Sequence, residues 1–302
     1  MKKIALLLPV IAGTLYGMAG VFIRTLYAAG FSNTTVIFAR NAPGALILLA
    51  IIALRDRSSL KISKKQAGWL VLCALLGMLV TNMGFNMAAT SLSLSFAAVL
   101  LSIAPVYTLI ISRIAFGHKI TPLKIVCVIM TITGCVLVSG IIGSGAGAAG
   151  ANAAGSWAGR TGAGLIAGVI AGFTYGLYSI FSKKAAGEGA GGLIITFFCF
   201  SLVALVVSPF ADYGTIGAFI MQDPPKHILF LLAHSLCVAV IPYFLLTVSL
   251  SYISPGTAMI LASCEPVAAM IFGVLFFHEI PTIYSVAGLV ITVTALIILC
   301  RE

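Results

Sequence analysis

Residues 249–282 read SLSYISPGTAMILASCEPVAAMIFGVLFFHEIPT, and residues 91–121 read SLSLSFAAVLLSIAPVYTLIISRIAFGHKIT. The two stretches align without a gap from Leu100 and Leu261 onward, and each carries one proline at the matched position, Pro105 and Pro266. The other identical residues within the stretches are Ser102, Val106, Ile110, Phe116 and Thr121, which match Ser263, Val267, Ile271, Phe277 and Thr282. The same alignment continues beyond them, where Thr131 and Thr133 match Thr292 and Thr294. A repeat of this length predicts a fold built from two related halves.

A second pair of segments supports the repeat. VIAG at residues 10–13 and YG at residues 16–17 return as VIAG at residues 169–172 and YG at residues 175–176. The halves are therefore predicted to be residues 1–140 and 162–302. Residues 141–161 are rich in Gly and Ala and show no apolar periodicity, which predicts a flexible external linker.

The composition places the chain in a membrane. Of its 302 residues, 61% are hydrophobic and only 8% are charged, against about 25% charged in soluble domains. A helix needs roughly 20 apolar residues to cross a bilayer. Ten such segments are predicted, near residues 4–23, 34–54, 67–86, 93–114, 122–141, 162–182, 192–210, 227–249, 256–277 and 281–300. We predict an all-α membrane protein of ten transmembrane helices.

The basic residues predict how the chain is oriented. With the N-terminus inside, the inside segments hold thirteen of the 17 Lys and Arg residues, and the outside segments hold Arg24, Arg160 and Lys226. Cytoplasmic loops carry the positive excess, so both termini are predicted to be cytoplasmic. Because five is an odd number, the second half enters the membrane from the opposite side. This gives two inverted five-helix repeats, an architecture common among secondary transporters.

These residues resemble the drug/metabolite transporter superfamily, and specifically its ten-helix EamA-type branch. The resemblance rests on Tyr16-Gly17, Arg24, Arg40 and the two stretches quoted above, and it covers nearly the whole chain. It implies transport of a small polar metabolite across the bacterial cytoplasmic membrane, most often export of an amino acid or related compound. One departure is Gly117-His118, where first halves of the family often carry Gly-Glu; Glu279 keeps the second-half equivalent.

Two ionisable residues lie inside predicted spans, where such groups are costly and are functional candidates by default. Glu265 is near the centre of span nine and is predicted to bind a proton or a substrate ammonium group. Its structural alternative is a pair with Arg40 or a backbone group that locks helix packing. Arg40, in span two, either reads a substrate carboxylate as a bidentate donor or extends to the external interface.

Polar and aromatic residues at matched positions complete the candidate site. Pro105 and Pro266 are expected to kink spans four and nine, either to free carbonyls near the midplane or only for packing. The other candidates are Ser102, Ser263, Asn82, Asn86, Tyr243, Tyr16 and Tyr175, each of which either contacts a polar substrate or serves in helix packing. A proton relay through His234 in span eight is a further alternative.

Other classes of function fit the sequence less well. It has no Walker loop, HExxH or GxSxG motif, so we predict neither an enzyme nor a cofactor, and transport is driven by a gradient or runs downhill. The seven Cys residues have no metal-ligand spacing and are interpreted as packing residues, with no metal site. The expected partners are a small-molecule substrate, the lipid bilayer and protons, without nucleic acid, and we expect a monomer because one chain holds both halves. The alternatives are another cargo, such as a nucleotide sugar, purine or drug, and a non-transport channel or scaffold.

Overall fold

The computed structural model describes residues 2–55, 60–92, 94–138, 157–278 and 281–300. Within these ranges the chain is helical with short connections. Nine helical spans there are long and apolar enough to cross a membrane, and Pro122–Val138 is a shorter apolar helix. The predicted ten-helix all-α membrane protein is therefore confirmed.

The chain forms helices because the bilayer core offers no water, so the backbone must satisfy its hydrogen bonds within each segment. In chain order they are α1 Lys2–Gly17, α2 Ala19–Ala28, α3 Asn33–Arg55, α4 Lys64–Leu72, α5 Val80–Ser91, α6 Leu94–Leu101, α7 Ala104–Phe116, α8 Pro122–Val138, α9 Trp157–Gly187, α10 Gly192–Val207, α11 Tyr213–Gln222, α12 Pro224–Ser235, α13 Ile241–Leu250, α14 Pro255–Ala262, α15 Glu265–Phe277 and α16 Ile283–Cys300. The π-helical turns Cys73–Leu79 and Leu236–Val240 connect α4 to α5 and α12 to α13.

The first span is longer than predicted. After an interruption at Met18, α2 continues to Ala28, five residues past the predicted end. Arg24 therefore lies within a helix and not in an external loop. Arginine is a good helix former, and its long side chain lets the charged group reach polar surroundings from inside a helix.

The predicted linker is also shorter at its C-terminal end. α9 begins at Trp157, so residues 157–161 are helical, and Arg160 lies within this helix. Alanine is the best helix former, so a Gly/Ala-rich composition does not by itself end a helix. Residues 141–156 of the linker, like Glu279, lie outside the described residues. The short helix α11 was not predicted; Asp212 caps its start by accepting a hydrogen bond from the Thr215 backbone N–H at 3.0 Å.

The predicted spans four and nine are each interrupted near the middle. Residues 102–103 separate α6 from α7, and residues 263–264 separate α14 from α15. Pro105 and Pro266 each stand at the second position of the helix that follows the break, where a proline fits without losing an intrahelical hydrogen bond. The breaks are thus repeat-related features of the fold.

The contacts between the two halves have the symmetry of the repeat. α8 lies against α16, and α3 lies against α10. α1 lies against α13, α14 and α15, and its counterpart α9 lies against α5, α6 and α7. Exchanging every helix for its repeat counterpart leaves this set of contacts unchanged, as a pseudo-twofold axis between the halves requires.

Glycines bring the first helix of each half against the broken helix of the other half. A Cβ added at Gly13 in α1 would lie 2.3 Å from the carbonyl oxygen of Ala262, at the end of α14. A Cβ added at Gly172 in α9 would lie 2.7 Å from the carbonyl oxygen of Leu100 in α6. Small residues allow such close backbone approach between membrane helices.

Candidate functional site

Four tyrosine rings lie together between the halves, and we call them the tyrosine cluster: Tyr16 of α1, Tyr175 and Tyr178 of α9, and Tyr243 of α13. The ring centroid of Tyr16 is 5.3 Å from that of Tyr243 and 6.4 Å from that of Tyr175, both edge to face. Tyr178 meets Tyr243 in the same way at 5.1 Å. All four rings are buried, and edge-to-face packing is a preferred arrangement of aromatic pairs. The cluster therefore forms a rigid aromatic wall.

Not every hydroxyl of the tyrosine cluster has a partner. The Tyr178 hydroxyl is hydrogen-bonded to the Thr247 hydroxyl at 2.9 Å. The hydroxyls of Tyr16 and Tyr175 are buried and have no hydrogen-bond partner in the part of the chain that the structure describes. A buried polar group without a partner costs about 1–3 kcal/mol. Such groups are therefore candidates for binding a ligand or water.

Glu265 begins α15, directly after the break in span nine. Its side chain lines a small cavity together with Ser102, Ser263 and Tyr175. No hydrogen bond or ion pair joins its carboxylate to any other described residue. The cavity volume is about 10 Å³, which is at the lower limit for a single water molecule. In this conformation the space beside Glu265 has room for a water or a small cation, and a metabolite does not fit.

The residues that line this cavity with Glu265 include several that carry hydrogen-bond acceptors. The hydroxyls of Ser102 and Ser263 each donate to the carbonyl four residues earlier, both at 2.8 Å, which leaves the hydroxyl oxygens free to accept. Leu101 and Ala262 also line the cavity; each is the last residue of its helix, and the proline four positions later has no N–H to donate to its carbonyl. An unpaired carboxylate among acceptors suits a proton or another cation.

Arg40 is buried in α3, with 8% of its surface exposed, about 10 Å along the helix from Asn33. The Ser235 hydroxyl of α12 donates to its backbone carbonyl at 2.7 Å. The guanidinium makes no hydrogen bond or ion pair with a described residue, and its Nε is buried without a partner. The alternative in which Glu265 and Arg40 form a structural pair is therefore not what the structure contains.

The two asparagines of α5 differ in their surroundings. The Asn86 amide donates to the Asn33 side-chain oxygen at 2.7 Å, which joins α5 to α3. The Asn82 side chain lies near the Tyr243 hydroxyl but does not reach hydrogen-bond geometry, and its Nδ2 is buried without a partner. Asn86 therefore contributes to helix packing, whereas Asn82 presents a free donor beside the tyrosine cluster.

Sequence reasoning missed Tyr178, and it placed His234 within span eight without predicting its surroundings. Tyr178 lies one turn after Tyr175 on the same face of α9, and this spacing was a usable signal. His234 is fully buried in α12 and stacks on Phe22, with ring centroids 5.2 Å apart and an interplanar angle of 19°. Within the described ranges, no group of three or more His, Cys, Asp or Glu side chains is placed to hold a metal ion.

The model of the EamA-like transporter family matches this chain twice, over residues 3–140 and 162–301. An uncharacterized transporter of Clostridium kluyveri is 26% identical, with 84% of this chain and 79% of that protein covered. An uncharacterized transporter of Archaeoglobus fulgidus is 24% identical, with 97% and 95% covered. A solved crystal structure with 15% identity superposes with a TM-score of 0.74, covering 97% of this chain and 95% of the other, so the two share a fold.

Proposed function

Because this chain belongs to the EamA-like transporter family, we propose that it is a secondary transporter which moves an amino acid or related small polar metabolite across the cytoplasmic membrane by alternating access. The observation that carries the proposal is Glu265, an acid without a partner among the described residues that lies between two repeat-related helix breaks. Broken helices at a repeat interface are where secondary transporters bind substrate and coupling ions.

Glu265 is proposed to bind the cation that takes part in transport, a proton or the ammonium group of the substrate. An acidic side chain inside a membrane span costs free energy, so it is usually paired or functional. No described residue pairs with Glu265. Tyr175 and Tyr16 supply aromatic faces and free hydroxyls nearby. Aromatic faces attract ammonium groups by about 0.5–2 kcal/mol, which favours amines and amino acids over sugars or neutral purines.

The cavity beside Glu265 is too small for a metabolite, so substrate entry requires the helices around it to separate. Separation on one side at a time is alternating access. We place both termini in the cytoplasm from the distribution of Lys and Arg, and we propose export as the direction of transport.

The test is counterflow in proteoliposomes. Proteoliposomes that contain the purified protein are loaded with an excess of unlabelled L-amino acid. They are expected to accumulate the labelled amino acid transiently, with an initial rate that saturates with its concentration. Glu265→Gln is expected to lower the initial rate at least about tenfold, because it removes the charge and keeps the shape. The matched control is Glu188→Gln, an exposed acid in the turn after α9, which is expected to leave the rate unchanged.

Other outcomes have direct readings. Flux that rises linearly with the gradient and shows no counterflow is the behaviour of a channel and would remove the proposal. Counterflow that is unchanged in Glu265→Gln at every pH would keep transport and remove the role of Glu265.

A further inference from the structure

Arg40 carries a positive charge in the protein interior, and it has no counter-ion among the described residues. The residue is nine-tenths buried, and no described carboxylate pairs with it. A buried charge persists in an apolar interior when an opposite charge and hydrogen bonds compensate it. Only the Nε of the guanidinium is fully buried, so its terminal nitrogens are open to a ligand, and an anion from outside the described part of the chain would compensate the charge.

Further side chains with unpartnered polar atoms lie around Arg40: His234, Asn82 and the buried hydroxyl of Tyr27. His234 of α12 is fully buried, and neither ring nitrogen has a hydrogen-bond partner. It lies within electrostatic reach of the Arg40 guanidinium, and the hydrogen bond from Ser235 to the Arg40 carbonyl holds the two helices together at this level. Asn82 of α5 adds the buried, unpartnered Nδ2. We call Arg40, Asn82 and His234 the anion cluster.

Each of the three side chains offers an anion at least one donor, although Asn82 and neutral His234 each carry an acceptor as well. Arginine and the asparagine amide nitrogen are donors, and neutral histidine keeps one ring N–H in either tautomer. The cluster carries one fixed positive charge, so it matches one negative charge. A carboxylate accepts up to about four hydrogen bonds and fits the planar guanidinium in bidentate geometry.

The tyrosine cluster separates the anion cluster from Glu265. Tyr243 lies within electrostatic reach of Arg40 and near the Asn82 amide, and through Tyr16 its ring connects to Tyr175, which lines the Glu265 cavity. A zwitterion whose carboxylate is bound at the anion cluster is therefore favoured in the orientation that turns its ammonium group toward Glu265. Orientation of this kind follows from electrostatic complementarity.

We propose that Arg40, Asn82 and His234 together bind a single negative charge, and that this charge is the carboxylate of the transported substrate. This inference rests on the proposed transport function and restricts it to carboxylate-bearing substrates. A free anion such as chloride is the other source of the same chemistry, and the experiment separates the two.

The experiment is a thermal-unfolding panel on the purified full-length protein, since a ligand that binds only the folded state raises stability with its concentration. The probes are L-alanine, L-leucine and L-phenylalanine, each beside its decarboxylated amine: ethylamine, isopentylamine and phenethylamine. Each probe is measured in chloride and again in methanesulfonate. The variants are Arg40→Gln, His234→Phe, which keeps a flat ring against Phe22, and the control Arg113→Gln, an exposed charge at the end of α7.

The expected result is a saturable shift with at least one amino acid and a much smaller shift with its amine, in both salts. Arg40→Gln is expected to weaken apparent amino-acid affinity at least about tenfold without lowering the melting temperature of the ligand-free protein, because it removes an uncompensated buried charge. His234→Phe is expected to weaken affinity in the same direction, and it tests the cluster if Arg40→Gln does not fold. Arg113→Gln is expected to behave as the wild type.

Three results would overturn the inference. Equal shifts with amino acids and amines, or an amino-acid shift retained in both cluster variants, would exclude carboxylate binding while counterflow still supports transport. A chloride shift that Arg40→Gln removes, with no difference between amino acid and amine, would assign the cluster to a free anion. No shift and no counterflow with any probe would remove the proposed function and this inference with it.

Discussion

Replacing Gly13 by alanine tests whether the close contact between α1 and the break in span nine is needed. The added methyl would lie 2.3 Å from the Ala262 carbonyl oxygen and 2.7 Å from the Cys264 sulfur, whereas ordinary contact begins at 3.4 Å. The helices must therefore separate by about 1 Å, from the difference of these distances. Backbone shifts forced by overpacking cost about 1–3 kcal/mol.

The helix propensity of alanine offsets part of this cost by about 0.5–1 kcal/mol. The net effect of Gly13→Ala is a loss of up to about 2.5 kcal/mol, which lowers the melting temperature by up to about 10 °C at about 2–4 °C per kcal/mol. The assay is thermal unfolding in detergent, followed by counterflow in proteoliposomes. Counterflow is expected to fall as well, because the displaced segment ends beside Glu265.

The matched control is Gly68→Ala, in α4, where an added Cβ meets nothing within 4 Å. This variant is expected to gain up to about 1 kcal/mol from helix propensity alone. Gly172→Ala, at the repeat-related position, is expected to behave like Gly13→Ala. Equal melting temperatures for Gly13→Ala and Gly68→Ala would refute the reasoning, because the contact would then have no energetic consequence.

Two further predictions concern the repeat-related loops that follow α7 and α15. Gly117 and His278 both end a helix in the left-handed region, at φ of 68° and 54°. A side chain is strained there, so His278→Gly is expected to raise the free energy of unfolding by about 1 kcal/mol. A lower melting temperature of this variant would contradict the prediction. Burial lowers the pKa of His118 below its ordinary value of 6.5, and the charges of Lys183 and Lys124 lower it further. As the pH falls, the unfolded chain therefore takes up this proton before the folded protein does. Stability is lost as the pH falls below about 6.5. His118→Asn is expected to make melting temperature fall less steeply from about pH 7 to pH 5, and an unchanged slope would exclude His118 as the source.

Most of the architecture could be predicted from the long apolar segments of the sequence. The ten helices follow from segments long enough to cross a membrane, and the breaks in spans four and nine lie next to Pro105 and Pro266. The ends were less predictable: Arg24 and Trp157 lie inside helices, because neither arginine nor a Gly/Ala-rich segment stops a helix.

The site was predictable only in part, because a sequence does not say which helix faces which. Glu265 stood out since an acid is rare in a span. Whether Arg40 paired with it, faced a ligand or reached the interface depended on the packing of α3 against α12. That Asn86 is bonded to Asn33 while Asn82 is unpartnered follows from helix rotation, which periodicity alone does not give. Tyr178, by contrast, could have been found from its spacing of one turn after Tyr175.

The glycine contacts of α1 and α9 have a mechanical consequence. Each of these helices touches the broken helix of the other half more closely than a side chain would permit. If each sequence half moved as a rigid body and turned against the other, the contacts of Gly13 and of Gly172 would both be broken. Bodies that preserve them consist of α1 with α13 to α15, and α9 with α5 to α7. A movement that preserves both contacts would therefore have its boundary across the two sequence halves and not between them.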